Sequence, residues 1–160
     1  MGSLSEFNGR WRLFLKAYPW RRVDPVPWNP LQKPLRECRL ALVTSAGFTA
    51  AGQIPFDAKI KGGDASFREI PGDVELGALR EHHRSTIFDH RGMRADPNLV
   101  FPRDRVQELA ARGRIGSVNH RHLSFMGSIT APGRLRAQSA PEAAALLKSD
   151  AVDVALLVPV

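Results

Sequence analysis

Asp150-Ala-Val-Asp-Val-Ala-Leu-Leu-Val-Pro-Val160 is the stretch that decides the fold predicted for this chain. The run from Val152 to Val158 is apolar apart from Asp153 and is rich in β-branched side chains, and a helix-like segment precedes it. This pattern predicts a strand that is buried on both faces, as in a parallel sheet. Ligands bind beyond the carboxyl ends of the strands in open parallel sheets, so a functional loop is expected directly after Val160.

The rest of residues 36–160 is predicted as an α/β domain with a Rossmann-like, open and mainly parallel sheet. Its first strand is Cys38–Thr44, and the small residues of Ser45-Ala-Gly47 follow it, as in loops where the backbone approaches a ligand. Another strand is predicted within His120–Ser128, where alternation puts His120 and His122 on one face. The glycine patterns of dinucleotide sites and of P-loops are missing, so neither site is predicted.

Two helices are predicted in this domain. Phe101–Gly113 has Pro102 near its first turn and a glycine at its end, with a buried stripe formed by Val106, Leu109 and Ala110. Ser139-Ala-Pro-Glu142 has the pattern of a capping box, which predicts the start of a helix over Glu142–Lys148.

Residues 1–35 are predicted as a separate segment that is basic, aromatic and rich in proline. Trp11, Phe14, Leu15 and Tyr18 have the spacing of one apolar helix face, with Arg and Lys elsewhere on the helix. Aromatic side chains beside cations are compatible with a membrane surface or a nucleic acid. We favour docking of this face on the α/β domain or on another subunit.

Composition limits the functional classes. The 160 residues include 23 Lys and Arg against 16 Asp and Glu, a net charge of +7 that suits anionic small molecules, nucleic acid or an acidic partner. Cys38 is the single cysteine, which excludes an internal disulfide and fits a reducing, cytoplasmic setting. We expect Cys38 to be a small buried hydrophobe. No run approaches the roughly 20 apolar residues of a membrane-spanning helix, and no membrane partner is expected.

Polar residues concentrate between His82 and Asn98, around a short strand predicted at Thr86–Phe88. The histidines of this stretch, together with Asp89 and Asp96, have residue types that ligate metals, but their spacing matches no known metal signature. We therefore predict no metal site and favour surface histidines and Asx turns.

Eight short blocks follow one another along the domain: Leu40-Ala-Leu-Val-Thr-Ser-Ala-Gly47, Pro55-Phe-Asp57, Asp64-Ala-Ser-Phe-Arg-Glu-Ile-Pro71, Asp96-Pro-Asn98, Phe101-Pro-Arg-Asp-Arg105, Gly113-Arg-Ile-Gly116, Ser124-Phe-Met-Gly127 and Val152-Asp-Val-Ala-Leu-Leu-Val-Pro159. In this order and spacing they resemble the selenoprotein B family. That family contains the B subunits of glycine, sarcosine and betaine reductases and the selenocysteine subunit of D-proline reductase.

The resemblance implies reductive cleavage of a C–N bond in a small amine or amino acid, with a selenocysteine or cysteine nucleophile directly after a strand like the last one. The nucleophile would then follow Val160, so the sequence is interpreted as the front part of such a subunit, ending at a UGA codon read as a stop. This 160-residue form is expected to be inactive and to carry no cofactor of its own. Other reductase subunits or further copies of the chain are the expected partners.

A selenolate needs hydrogen-bond donors and positive charge around it, as a thiolate does, and strand-end loops supply them. The candidate catalytic residues are Asp89, His90, His122 and Ser124. The candidate substrate-binding residues are Thr44, Ser45, Gly47, Asp96 and Asn98.

Two other functional classes stay open beside the reductase. One is a non-catalytic α/β binding or subunit-interaction protein that uses the basic aromatic N-terminus. The other is a metal-dependent hydrolase built on the histidines and aspartates. The codon after Val160 separates the first class from the other two.

Overall fold

The computed structural model describes residues 5, 7–18, 22–85 and 90–160, which fall into two compact units, Met1–Pro30 and Leu31–Val160. The predicted strand at Thr86–Phe88 and the candidate Asp89 lie outside the described residues.

The first unit contains helix α1, Gly9–Ala17, which confirms the helix predicted there. The side chain of Asn8 caps it by accepting a hydrogen bond from the backbone N–H of Trp11 at 3.1 Å. The rings of Trp11 and Phe14, and those of Phe14 and Tyr18, lie 5.7 Å apart and are about half exposed. The predicted apolar face therefore exists as a row of aromatic contacts.

The second unit alternates strands and helices. Its strands are β1 (Arg39–Thr44), β2 (Phe48–Thr49), β3 (Phe67–Pro71), β4 (Arg80–Glu81), β5 (Ser117–Val118), β6 (Arg121–Phe125) and β7 (Val154–Val158). Its α-helices are α2 (His90–Ala95), α3 (Arg103–Ala111) and α4 (Ala140–Ser149), with single helical turns at Leu35–Glu37, Leu76–Ala78 and Pro97–Leu99 and a π-helical turn at Leu135–Ser139. This alternation confirms the α/β class.

The main sheet is built around β1. On one side β1 pairs in parallel with β7, from Leu40 opposite Val154 to Thr44 opposite Val158. On the other side it pairs in parallel with β5 at its start and with β6 at its end, and β3 runs antiparallel to β6. The sheet is therefore mixed, and β2 and β4 form a separate antiparallel pair. The Rossmann-like arrangement stays a prediction.

Each face of this sheet has its own core. On one face, Leu40, Leu42 and Ile70 pack with Phe101 and Val106 of the α3 region. On the opposite face, Ala41 and Leu123 pack with Ala143 and Leu147 of α4. The odd and even positions of β1 thus point to different helices, as the two-residue period of a strand requires.

Four details of the sequence prediction are wrong. Leu109 is 41% exposed, so the face of α3 that packs on the core consists of the buried Val106 and the partly buried Ala110 without Leu109. His120 and His122 do not share a face. The chain leaves the sheet between β5 and β6, so the His120 side chain is 67% exposed while His122 is fully buried.

The third error concerns the start of α4. Ser139 is helical and forms no cap, because the helical turn begins at Leu135 and the Ser139 hydroxyl donates to the Ala65 carbonyl instead.

The fourth error concerns β7. In the described part of the chain β7 pairs with β1 and with no other strand, so it lies at the edge of the sheet. Leu156 and Leu157 are 40% and 68% exposed, one on each face, where burial on both faces was predicted. The apolar sequence was correctly interpreted as a parallel strand, but no second strand pairs with it in the described part of the chain.

No helix in the described residues is long and apolar enough to cross a membrane.

Candidate functional site

The carboxyl ends of β1, β6 and β7 meet at one edge of the sheet, which we call the carboxyl rim. The loop after β1 joins them: Ser45 N–H donates to the Val158 carbonyl at 3.2 Å, and Gly47 N–H donates to the Phe125 carbonyl at 2.8 Å. The hydroxyl of Ser45 accepts a hydrogen bond from Val160 N–H at 2.9 Å. The predicted loop residues Ser45 and Gly47 therefore lie where the backbone emerges from β7.

Two glycines permit the close packing of this rim. Gly47 has φ +71°, and a Cβ atom there would lie 2.9 Å from the backbone nitrogen of His83. Gly127, two residues after the end of β6, has φ +72°, and a Cβ atom there would collide with the Ser45 carbonyl and lie 2.5 Å from His83 Nε2. Any side chain at either position would be strained and would push these elements apart.

His83 is the buried histidine of the rim. Its ring packs against Gly127, and the nearby backbone of Val160 has a small effect that favours the protonated form of the ring. Burial lowers the pKa of His83 below its ordinary value, and this outweighs the opposing influence of Glu81. His83 is therefore neutral near pH 7 and faces the end of β7.

Glu81 connects His83 to the predicted candidate His90. One carboxylate oxygen accepts from the His83 backbone N–H, and the other lies 2.9 Å from His90 Nδ1. His90 Nε2 lies 3.0 Å from the Ser85 carbonyl, and the hydrogen bond with Glu81 raises the pKa of His90. The two histidine rings are 6.5 Å apart, so a neutral and a more readily protonated imidazole lie side by side.

The antiparallel pair of β2 and β4 positions these groups. Phe48 of β2 pairs with Glu81 of β4, and the Gly47 carbonyl accepts from His82 N–H at 2.9 Å. Sequence analysis placed His82 and His83 in the polar stretch but did not select His83 or Glu81 as site residues. Only the pairing of two-residue strands brings them to the rim, and strands that short carry no periodic signal.

Three other candidates lie beneath the rim in the core. The Thr44 hydroxyl donates to the Val100 carbonyl at 2.6 Å and accepts from Ala46 N–H at 3.1 Å, so its bonding capacity serves the fold. His122 and Ser124 are fully buried in β6. His122 Nδ1 accepts from Leu42 N–H at 3.1 Å, while His122 Nε2 and the Ser124 hydroxyl have no hydrogen-bond partner among the described residues.

Asp96 and Asn98 form a turn that leads into α3. The Asp96 carboxylate accepts from Asn98 N–H at 3.0 Å, and Asn98 exchanges hydrogen bonds with Asp104 at 3.1 Å. This is the Asx turn that was predicted for the pair. The hydrogen bonds of their side chains are to one another and to Asp104, so these side chains belong to the turn before α3.

Within the described part of the chain, no three His, Cys, Asp or Glu side chains converge as a set of metal ligands. The rim instead offers a hydroxyl, an imidazole and a carboxylate held by buried backbone. Such groups can orient a substrate and move a proton, and they can surround an anionic nucleophile.

Comparison with known proteins identifies the family of this chain. The family model for glycine/sarcosine/betaine reductase selenoprotein B matches residues 6–159. The chain belongs to this family. The resemblance predicted from the eight blocks is thus confirmed, and the match extends into the N-terminal segment that the blocks did not cover.

Individual relatives of the family are reductase subunits. The chain is 33% identical over 136 residues to the D-proline reductase subunit gamma of Acetoanaerobium sticklandii, covering 84% of this chain and 54% of that subunit. It is 31% identical to the glycine reductase complex component B subunit gamma of Symbiobacterium thermophilum, covering 90% of this chain and 33% of that subunit. It is 28% identical to the sarcosine reductase complex component B subunit beta of Peptoclostridium acidaminophilum, covering 83% and 30%.

The chain therefore spans about half the length of the first of these relatives and about a third of the other two. No solved structure matches it.

Proposed function

We propose that the chain is the N-terminal part of a reductase subunit that cleaves a C–N bond in a small amine or amino acid of the glycine, sarcosine, betaine or D-proline class. The nucleophile is a selenocysteine or cysteine directly after Val160, and the partners are other subunits of a cytoplasmic reductase complex. The family match and the names of the relatives support the reductase class. The longer relatives support a subunit that continues beyond these residues.

One observation carries the placement of the nucleophile. The Ser45 hydroxyl accepts a hydrogen bond from Val160 N–H at 2.9 Å, and His83, which packs against Gly127, lies near the same backbone. A residue attached to Val160 starts at the carboxyl rim, where parallel α/β sheets bind ligands. There Ser45 orients the backbone, and His83 is a neutral group able to exchange a proton. Glu81 and His90 influence the pKa of His83.

The first test is the nucleotide sequence. We expect UGA after Val160, a continuing reading frame with α/β pattern, and a hairpin for selenocysteine insertion close by. Expression of that frame with cysteine at the UGA codon is expected to yield a soluble protein with a thiol that reacts with alkylating agents. An ordinary stop codon, or a UGA followed by no α/β pattern, would favour the non-catalytic binding protein instead.

The second test concerns the rim. In the longer cysteine form, we expect Ser45→Ala to slow reaction of the new thiol, and any reductase turnover, by about 5- to 10-fold, since one hydrogen bond is worth about 1 kcal/mol. Ser149→Ala is the matched control, because its hydroxyl also makes a single backbone hydrogen bond, to the Leu146 carbonyl at the end of α4. If the Ser45→Ala and Ser149→Ala variants react at the same rate, Ser45 has no role in the site.

A further inference from the structure

An apolar groove runs along the face of the sheet on which α4 packs, beside the edge strand β7. Its volume is about 540 Å³. The residues that line it include the small or apolar side chains of Val43, Phe125, Ala140, Ala144, Ala155 and Leu157. Leu157, 68% exposed, projects from β7 into this region. An open groove of this composition exposes apolar surface that a stable protein ordinarily covers.

The backbone of β7 also lacks a partner on its outer side in the described part of the chain. Five residues of β7 pair with β1, and the opposite row of N–H and C=O groups faces outward. Such an edge is a template for one more strand. The groove and the free edge adjoin each other, so one incoming unit can cover both.

The handedness of strand crossovers indicates which unit this is. From β6 the chain passes through α4 to β7, moving across β1 in one direction, and α4 lies on the face of Ala41 and Leu123. Between β1 and β5 the chain enters the antiparallel strand β3 and then α3, so this connection is not a single parallel crossover. The β6–α4–β7 connection is a single parallel crossover, and such crossovers have one hand. A further step outward from β7 would therefore place its helix on the α4 face, where the groove lies.

We propose that the groove is filled by a helix that follows β7 in a longer form of this polypeptide, and that this helix leads to a strand paired in parallel with the free edge of β7. A crossover of this kind needs a dozen or more residues. The D-proline reductase subunit, of which this chain covers 54%, has that length to spare. The alanines of α4 and β7 leave room for large apolar side chains from the incoming helix.

This inference rests on the proposed function only in taking the subunit to be longer than 160 residues. It does not depend on which residue follows Val160 or on the reaction. The predicted occupant is an amphipathic helix whose apolar stripe faces Leu157, and a second copy of the chain is the competing occupant.

The test compares Leu157→Asp in the 160-residue chain and in the chain extended along its own reading frame. In the short chain Leu157 is exposed, so the substitution is expected to change the unfolding equilibrium constant by less than about 3-fold. In the long chain it would put a charge into a covered groove, and we expect a change on the order of 100-fold. Leu99→Asp is the matched control, because Leu99 is 65% exposed in a helical turn away from the groove. It is expected to have a small effect in both lengths.

An equal effect of Leu157→Asp in the two lengths, or an effect no larger than that of Leu99→Asp, would overturn the proposal. So would a dimer of the long chain that Leu157→Asp dissociates, since the occupant would then be a second copy. A frame that does not continue refutes both this inference and the proposed function. A long chain that protects Leu157 yet has no reductase activity refutes the proposed function alone, and an active long chain with Leu157 exposed refutes the groove proposal alone.

Discussion

His122 is an ionisable side chain in the centre of the core. Its ring packs edge-on against Phe101 with centroids 5.5 Å apart, and Nδ1 accepts from the backbone N–H of Leu42. The His122 ring thus provides the hydrogen-bond acceptor for β1 in the gap between β5 and β6, where β1 has no paired strand residue on that side. Burial, with smaller contributions from Arg103 and His120, lowers the pKa of His122 to about 4. His122 is thus a structural residue that is neutral in the folded chain above that pH.

This pKa predicts a pH dependence of stability. The folded pKa of about 4 lies below the ordinary value of 6.5, so the unfolded chain binds the proton more readily. Protonation of His122 therefore does not affect the free energy of unfolding above about pH 6.5. As the pH falls from there towards 4, it lowers the free energy of unfolding by up to about 3 kcal/mol. Urea unfolding of the wild type and of His122→Phe at pH 7 and pH 5 measures it. We expect the variant to be less stable at pH 7 but less sensitive to pH.

His120→Phe is the comparison for this experiment, because the exposed neighbour has only a small effect on the pKa of His122 and should change the pH dependence far less than His122→Phe does. A His122→Phe variant with the full pH dependence of the wild type would contradict the assignment.

Single-residue chemistry was predictable where it depended on the residue alone. Cys38 is fully buried, as expected of a lone cysteine, with its sulfur near the Lys33 and Pro34 carbonyls. The alternation argument failed at His120 because it assumes an unbroken strand. Asn119 N–H bonds to the Leu40 carbonyl and the chain then turns outward, a long-range bond that local pattern does not contain.

Helix α4 is joined to the start of β6 by the residue that follows it. Arg121 binds the Asp150 carboxylate with two hydrogen bonds of 2.7 Å, and Asn119 adds a third at 2.9 Å. The Arg39 guanidinium donates to the Asp150 carbonyl. The bonds from Arg121 and Asn119 to the carboxylate lower the pKa of Asp150 to about 2, with Arg121 the main cause. These ion pairs and hydrogen bonds hold α4 to the starts of β1 and β6, at the opposite end of the sheet from the carboxyl rim.

We expect Asp150→Asn to destabilise the chain by about 2 kcal/mol, since it removes the charge from hydrogen bonds made to a shielded carboxylate. Because the folded pKa is depressed, this stabilisation is present above about pH 4 and is lost as the pH falls towards 2. Chemical denaturation measures both effects. Glu108→Gln is the control: it breaks an exposed pair with Arg105 at 2.9 Å and is expected to cost less than about 0.5 kcal/mol. Equal losses would show that the Asp150 network contributes no more than a surface pair.

The elements themselves were largely predictable, and their surroundings were not. Apolar composition predicted β1 and β7, and proline and glycine bounded α3. Whether Leu157 is covered depends on what lies beside β7, which composition does not report. Likewise Ser45 and Gly47 could be selected as candidates because they lie in the loop after a strand, whereas Glu81 and His83 reach the rim through the pairing of β2 with β4.

At the scale of the whole molecule, the two units differ in what holds them together. Both core clusters of the second unit consist of residues 40–158, and all of α1 in the first unit is without a buried residue. The second unit therefore has its own hydrophobic core, and α1 presents aromatic and basic side chains. The docking partner predicted for α1 remains a prediction, which deletion of the first unit tests.

We expect a chain that begins at Leu31 to keep its circular dichroism spectrum and its cooperative unfolding transition, because its core clusters are intact. We expect it to lose association with other reductase subunits or with further copies, measured by light scattering and by co-purification with subunits encoded beside it. Substituting Trp11 and Phe14 by Ser in the full chain should reproduce this loss if the aromatic face carries it. A deletion that abolishes a salt-dependent affinity of the full chain for DNA or RNA, with subunit association unchanged, would instead assign the segment to nucleic acid, since phosphate contacts weaken steeply as salt is added.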